Sequence, residues 1–375
     1  MKSIMPFVFI FIVYILLHYY VYSHIWRALE IFPTTKIPVL VILILLSLSY
    51  IASQLFGQNL PFQLTSVIHY IGASWVFYLV MSLLAVILID IVHLSDYLFH
   101  WQPQVIADNY KFVKFVVCVS MFAIITILYC IGQYNFFNTE VRELTISLNS
   151  QPTKQLNIVQ VSDLHLGYTV DKQTLAKFVN AINAEEPDIV CLCGDIKDMS
   201  MYPIKEQKMD EELRQIKAKY GVFVISGNHE YIGGEKDEAM EYYRQCGFNV
   251  LEDSSILVNG EFYVAGRKDR TDKNRKELAD VVSMLDKSKT IILLDHQPFD
   301  LQNAVDAGVS LQLSGHTHNG QFFPINLITA KIYEVSHGYL QKTMTHFFVS
   351  SGIGGWGPPV RTASQSELIK IHLKY

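Results

Sequence analysis

Apolar residues follow two different rhythms along this chain. Up to about residue 135 they form long blocks, at residues 4–21, 37–56, 71–94 and 112–131. Each block can cross a bilayer as a helix, for which about 20 apolar residues suffice. Beyond residue 136 the apolar runs shorten to strand length and alternate with stretches of helical period, which predicts an α/β domain. The predicted strands are 141–148, 158–161, 189–192, 222–225, 256–258, 261–265, 290–294, 309–313, 331–334 and 345–349. The predicted helices are 171–184, 203–219, 235–246 and 272–285. A turn-rich loop at 149–155 carries Pro152. Two parts are expected: a four-helix, all-α transmembrane region at 1–135 and a soluble domain at 136–375.

Charge follows the same division. Of 30 Lys and Arg only five lie in residues 1–135, and of 35 Asp and Glu only four. The remaining 25 and 31 leave the second part mildly acidic. Without basic clusters to replace counterions, it is a poor nucleic-acid binder. Lys2 ahead of an apolar core resembles a signal peptide. Ser23-His24-Ile25 is no small-residue cleavage site, however, and three more blocks follow, so the first is read as an uncleaved helix. Tyr19, Tyr20, Tyr22 and Trp26 close it like an interfacial aromatic belt.

Four spans leave both ends of the region on one side. Arg27, Lys36, Lys111 and Lys114 fall in the loops of the other side. Lys2, Arg142 and Lys154 flank the shared side, whose loop at 57–70 holds no Lys or Arg. This bias places the chain in the cell membrane as a multi-pass protein with an extracytoplasmic C-terminal domain. Asp90 and His93 share a helix face near the end of the third block and are read as structural. The cysteines at 118, 130, 191, 193 and 246 show no disulfide or zinc spacing and are read as small buried hydrophobes.

Candidate chemistry lies where the predicted strands end. The first ends in Ser162-Asp163-Leu164-His165, the next in Cys193-Gly194-Asp195 with Asp198 beyond. Others end in Gly227-Asn228-His229-Glu230, in Asp295-His296, and in Gly315-His316-Thr317-His318. Five of the eight histidines after residue 136 sit at such ends. One Asp or His there is an ordinary turn residue. Five strand ends together, at the sheet edge where α/β proteins bind ligands, indicate a metal site.

The series Asp163-x-His165, Gly194-Asp195-x-x-Asp198, Gly227-Asn228-His229-Glu230, His296 and Gly315-His316-x-His318 resembles the calcineurin-like metallophosphoesterases, over about residues 140–375. The resemblance implies a four-layer α/β/β/α sandwich holding two divalent metals (Mn, Fe, Zn, Co or Ni). It implies Asp163, His165 and His318 on one metal, Asn228, His296 and His316 on the other, and Asp195 bridging. It makes His229 the catalytic group, touching the scissile phosphate. Two metals about 3.5–4 Å apart can ionise a bridging water and neutralise the phosphoryl oxygens, and that metal-bridged hydroxide attacks in line. Asp198 and Glu230 are read as residues that orient the ligands or shape the turns. The stretch SSGIGGWGPPVR at 350–361 resembles the ending of bacterial membrane-anchored members, with Ser366-Glu367 where Pro-Glu is usual. Arg361 in it is read equally as a substrate-phosphate contact or as the partner of a domain acid.

The expected function is a membrane-anchored phosphoester hydrolase, a phosphodiesterase or pyrophosphatase acting on a lipid-linked or envelope phosphate. A nuclease or nucleotide phosphatase is the rival enzyme, and a sensor or scaffold that kept the fold is the non-enzymatic alternative. Few charges and no Gly/Pro-broken helices in the spans argue against a transporter.

Overall fold

The computed structural model describes residues 5–375 (the backbone alone for residues 5–7 and 10). It separates into two compact units, residues 1–131 and 132–375.

The first unit is helical. Met5–Ala28 covers the first predicted span except Ile4, which lies outside the described residues. Among the described residues three helices are long and apolar enough to cross a membrane: Pro33–Asn59, Phe62–Phe99 and Tyr110–Phe137. Phe62–Phe99 has 38 residues, about 57 Å at 1.5 Å each, so it outlasts a hydrocarbon core of about 30 Å. Gly72 lets it approach Lys36–Phe56, since a Cβ there would stand 2.2 Å from the Tyr50 nitrogen. Polar side chains inside the unit find partners: the Tyr14 hydroxyl donates to the Ser47 carbonyl at 2.6 Å, and Trp75 Nε1 to His18 Nε2 at 3.2 Å.

The second unit holds twelve strands. In chain order they are β1 (Glu140–Ser147), β2 (Gln155–Val161), β3 (Ile189–Leu192), β4 (Val222–Val224), β5 (Asn249–Val250), β6 (Ser254–Val258), β7 (Phe262–Gly266), β8 (Thr290–Leu294), β9 (Leu311–Ser314), β10 (Gly338–Lys342), β11 (Thr345–Val349) and β12 (Glu367–Lys374). They form two six-stranded sheets, β1-β12-β2-β3-β4-β5 and β10-β11-β9-β8-β7-β6. β2 to β5 run parallel in the first, and β7, β8, β9 and β11 in the second. The last strand inserts between β1 and β2, pairing Ile371 with Leu144 and with Ile158.

Alternation along these strands sorts the core into three slabs. Ile158, Cys191, Phe223, Ile292, Leu294 and Leu313 pack between the sheets. Val159, Val161 and Val190 face the other way, onto Leu175, Phe178, Met240 and Tyr243 of helices Lys172–Ala184 and Lys236–Gln245. Ala265, Ile291 and Leu293 bury helices Leu278–Val282 and Gln302–Asp306 through Leu278, Val282 and Ala304. Three slabs between four layers give an α/β/β/α sandwich. Cys191, Cys193 and Cys246 are buried free thiols, as hydrophobes would be.

Several element boundaries depart from the sequence reading. Residues 331–334 are no strand: helix Ile325–Ile332 occupies them in part, and the strand beside β11 is β10. The helix predicted at 272–285 shrinks to Leu278–Val282. Polar side chains capture the backbone before it, Asp272 Oδ1 taking the Asn274 N–H and Asp253 Oδ2 that of Lys276. The helix predicted at 203–219 splits into Tyr202–Glu206 and Asp210–Leu213 around Lys208, whose φ is +51°.

Candidate metal centre

All five motifs lie at the carboxyl ends of parallel strands, β2, β3 and β4 from one sheet and β8 and β9 from the other. The backbone turns sharply there. Asp163, His165, Asp195, His316 and His318 have φ of +56°, +49°, +52°, +72° and +50°. Side chains other than glycine avoid this left-handed region, and such strain concentrates at functional sites. Small residues clear the space: a Cβ on Gly315 would stand 1.7 Å from Ser162 Oγ, and one on Gly227 2.2 Å from Asp195 Oδ1.

The strained turns bring the donors together. His165 Nε2 and His318 Nε2 are 3.1 Å apart, and His318 Nε2 is 3.3 Å from Asp163 Oδ1. Asp195 Oδ2 lies 3.9 Å from His165 Nε2 and 3.1 Å from His296 Nε2. Three groups of donor atoms fall within 4.8 Å of one another: Asp163, His165 and His318; His165, Asp195 and His229; and Asp195, His296 and His316. Asn228, the residue before His229 at the end of β4, has its carbonyl oxygen Oδ1 buried without a hydrogen-bond partner.

This arrangement suits a cation. Two donors each about 2.05 Å from a tetrahedral ion stand roughly 3.3 Å apart, close to every spacing above but that of Asp195 from His165. His296 Nδ1 lies 2.7 Å from the Cys193 carbonyl, which can only accept, so Nδ1 carries the proton and Nε2 faces Asp195. Burial and the neighbouring His296 push the His316 imidazole down to about 4, and burial with His165 holds His318 well below its ordinary range. Both rings are therefore neutral, with lone pairs to give. Burial alone would protonate Asp195, but His296 beside it holds the carboxyl ionised.

Supporting residues fix the candidate ligands. Ser162 Oγ donates to Asp163 Oδ2, and the His316 N–H lies 3.1 Å from both Asp163 oxygens. Buried Glu230 gathers backbone N–H groups, Asp195 and Gly227 on Oε2, Ile196 and Lys197 on Oε1, so it knits two strand ends together. Asp198 Oδ1 stands 3.3 Å from His165 Nδ1 and 3.4 Å from His229 Nδ1. Burial favours the neutral His229 ring, but Asp198 and Asp195 outweigh it and bring the imidazole up to about 9.

A model of the calcineurin-like phosphoesterases matches residues 156–320. An uncharacterized metallophosphoesterase of Helicobacter pylori is 32% identical over 240 residues, 62% of this chain and 64% of that protein. The metallophosphoesterase YkuE of Bacillus subtilis is 30% identical over 226 residues, 58% of this chain and 78% of YkuE. The chain belongs to this phosphoesterase family. A "transmembrane protein with metallophosphoesterase domain" of Danio rerio is 30% identical over 249 residues, 62% of this chain and 55% of the fish protein. The matched region thus spans under two thirds of the Helicobacter protein and about half of the fish protein.

Within the phosphoesterase domain, Arg361 turns its guanidinium to the backbone, with the acids Glu367 and Asp163 close enough to favour its charged form. It is fully buried, and its guanidinium donates to the carbonyls of Ser351, Gly352 and Gly354 and to Ser364 Oγ. Burial brings it down to about 10. Its clamp holds a loop against the first metal-site turn, where a Cβ on Gly354 would meet the Leu164 carbonyl at 2.0 Å. The acids around it, and the apolar positions of the loop, gave no local signal for this.

The absence of basic clusters also needs correction. Residues 267–276 hold six Lys and Arg. Four of them are paired: Arg267 and Arg275 with Asp295, Lys268 with Asp272, and Arg270 with Asp300. Sequence reading further missed Tyr333 and Phe299, whose rings reach the site in series, Phe299 to Tyr333 at 4.7 Å and Tyr333 to His316 at 6.2 Å. An aromatic next to His296-Gln297-Pro298 was the available signal for Phe299; Tyr333, lodged in a supposed strand, gave none.

Proposed function

We propose that the chain is a membrane-anchored, dinuclear metal phosphoester hydrolase. The carrying observation is the set of buried donors spaced 3.1–3.3 Å apart, with His296 Nε2 among them left without a hydrogen-bond partner. Asp163, His165 and His318 would hold one divalent ion and Asn228, His296 and His316 the other, with the Asp195 carboxylate close to both His165 and His296. Divalent ions in such a site supply a nucleophile from water at neutral pH and offset charge on the phosphoryl oxygens.

The chain's own groups do the rest. His229 is 15% exposed at its side chain, while the His165 and His296 side chains are fully buried, so it is placed to meet a substrate. Its Nδ1 lies 3.0 Å from the Asp198 carbonyl, so Nδ1 keeps its hydrogen and Nε2 is the atom that can pass a proton to the leaving oxygen. Asp198 holds the ring in that pose. The apolar helices of the first unit, and the transmembrane description of the fish relative, support a membrane location. The positive-inside bias favours an extracytoplasmic domain, and protection from added protease in spheroplasts would overturn that placement.

Metal analysis of the purified full chain is paired with hydrolysis of nitrophenyl mono- and diesters, nucleotide diphosphate sugars and phospholipids. Two equivalents of metal with turnover of at least one ester class are expected. Bound metal without any turnover supports the scaffold reading, and turnover confined to nucleotides or nucleic acid supports the nuclease reading.

A further inference from the structure

Helix Ile325–Ile332 differs from its neighbours in the second unit because it buries none of its residues. Lys172–Ala184, by contrast, buries Leu175, Phe178, Val179 and Ile182. Leu327, Ile328 and Ile332, with Phe323 just ahead, are 54%, 56%, 56% and 57% exposed. Steps of four, one and four residues set them on one helical face. Lys331 is the only charged residue between Gln321 and Tyr333. An exposed apolar face this large on a small helix marks a contact surface rather than chance exposure.

The helix is fixed to the metal centre. It follows the His318–Gly320 turn directly, and a Cβ on Gly320 would stand 2.2 Å from the Asn326 nitrogen. Tyr333 at its far end leads through its ring to His316. Fully buried Gln321 secures the near end, donating to the carbonyls of Trp356 at 2.9 Å and Pro358 at 3.0 Å. Phe323 N donates to Thr362 Oγ1 at 3.1 Å.

That supporting loop also identifies the occupant. It wraps the residues by which the chain enters this unit from the apolar helix Tyr110–Phe137: Arg361 N donates to the Gly132 carbonyl at 2.9 Å, and Asn135 Nδ2 to the Arg361 carbonyl at 3.0 Å. Within this unit, Phe323 and the 39%-exposed Trp356 therefore lie one loop away from Gly132 and Asn135, residues that in the sequence belong to the end of an apolar stretch of membrane length. Apolar and aromatic side chains with one lysine are the composition of a helix lying in a lipid interface.

We propose that Phe323 and helix Ile325–Ile332 seat the domain on the bilayer surface, so that the site takes phosphoesters whose apolar part stays in the lipid. The seating is independent of catalysis; the substrate class rests on the hydrolase reading. The test uses the full chain reconstituted in phosphatidylcholine–phosphatidylglycerol vesicles. Leu327→Cys and, as a control at a 92%-exposed position, Met284→Cys carry a fluorescent label, with the unsubstituted chain labelled in parallel as background. Doxyl-lipid is expected to quench the label at 327 at least about twofold more than the one at 284, while aqueous iodide does the reverse. Equal iodide quenching at both positions overturns the seating, as does disulfide cross-linking of two copies in the Leu327→Cys variant. Leu327→Glu with Ile328→Glu is then expected to lower turnover of a bilayer-resident phosphoester about tenfold and leave a water-soluble nitrophenyl ester unaffected. Equal effects on both esters overturn the substrate class. A chain quenched by doxyl-lipid yet inactive on every ester overturns the hydrolase reading and leaves the seating in place.

Discussion

The molecule holds two clusters of aspartate with histidines, and they differ in what surrounds them. In the first unit Asp90 accepts from Tyr20 and lies 3.1 Å from His24 Nε2 and 4.0 Å from His93 Nδ1. In the second, Asp163 and Asp195 meet His165, His296 and His318. Composition alone would make both candidates for a metal. Asp90 sits on an unstrained helix, its side chain is 43% exposed, and hydrogen bonds already occupy it. The strand-end aspartates are buried, their backbones are left-handed, and His296 Nε2, 3.1 Å from Asp195, has no hydrogen-bond partner. A ligand site is recognised by buried atoms left without partners at a structural cost, and among the described residues no atom of Asp90, His24 or His93 is of that kind.

The contrast is tested hardest at His229. His229→Ala is expected to lower turnover roughly 10²–10⁴-fold, the range of a lost proton-transfer group, while metal content measured by plasma emission stays at the wild-type level. Metal loss alongside the activity would make His229 a ligand, an option left open by its place among His165 and Asp195.

Much of the strand-end cluster is legible in the sequence. Its candidate ligands stand in motifs beside strand-like apolar runs, and strand direction alone carries those ends to one edge of each sheet. The helix at 325–332 is not legible, because its exposed apolar face copies the pattern of a buried strand. Arg361 eludes sequence reading for a related reason. Its partners are backbone carbonyls of Ser351, Gly352 and Gly354, and a carbonyl leaves no mark in a sequence. The helices near 203–219 and 272–285 are shorter than their periodicity suggests, since a lysine at positive φ and aspartates that capture N–H groups outweigh it.

A third carboxylate calibrates the comparison. Glu367 is as buried as the site aspartates, yet it is fully partnered by Ser350 Oγ, the Ser351 N–H, Arg142 and His337. Burial raises its pKa, but His337 and the other donors outweigh that and hold it below the ordinary 4.5. A depressed folded-state value means stabilisation that is complete above the unfolded pKa and lost as pH falls through the folded one. Glu367→Gln is expected to cost roughly 1–3 kcal/mol at pH 7, the range for a disrupted buried hydrogen-bond set. The variant and the parent should converge as the pH of thermal unfolding drops below about 4.5. A difference that persists unchanged in acid would assign the effect to packing.

The smallest effect is expected where the resemblance to the metal centre is most superficial. Asp90→Asn keeps one of the two oxygens that face Tyr20 and His24, so the charge and one accepted hydrogen bond are removed. Polar contacts between membrane helices average about 0.6 kcal/mol, and the thermal stability of the solubilised full chain should fall by no more than that. Turnover of a soluble ester should stay within about twofold of the parent, because the change leaves every buried strand-end donor in place. A fall in turnover comparable to that of His229→Ala would place Asp90 in the chemistry and remove unpartnered buried atoms as the criterion that separates the two clusters.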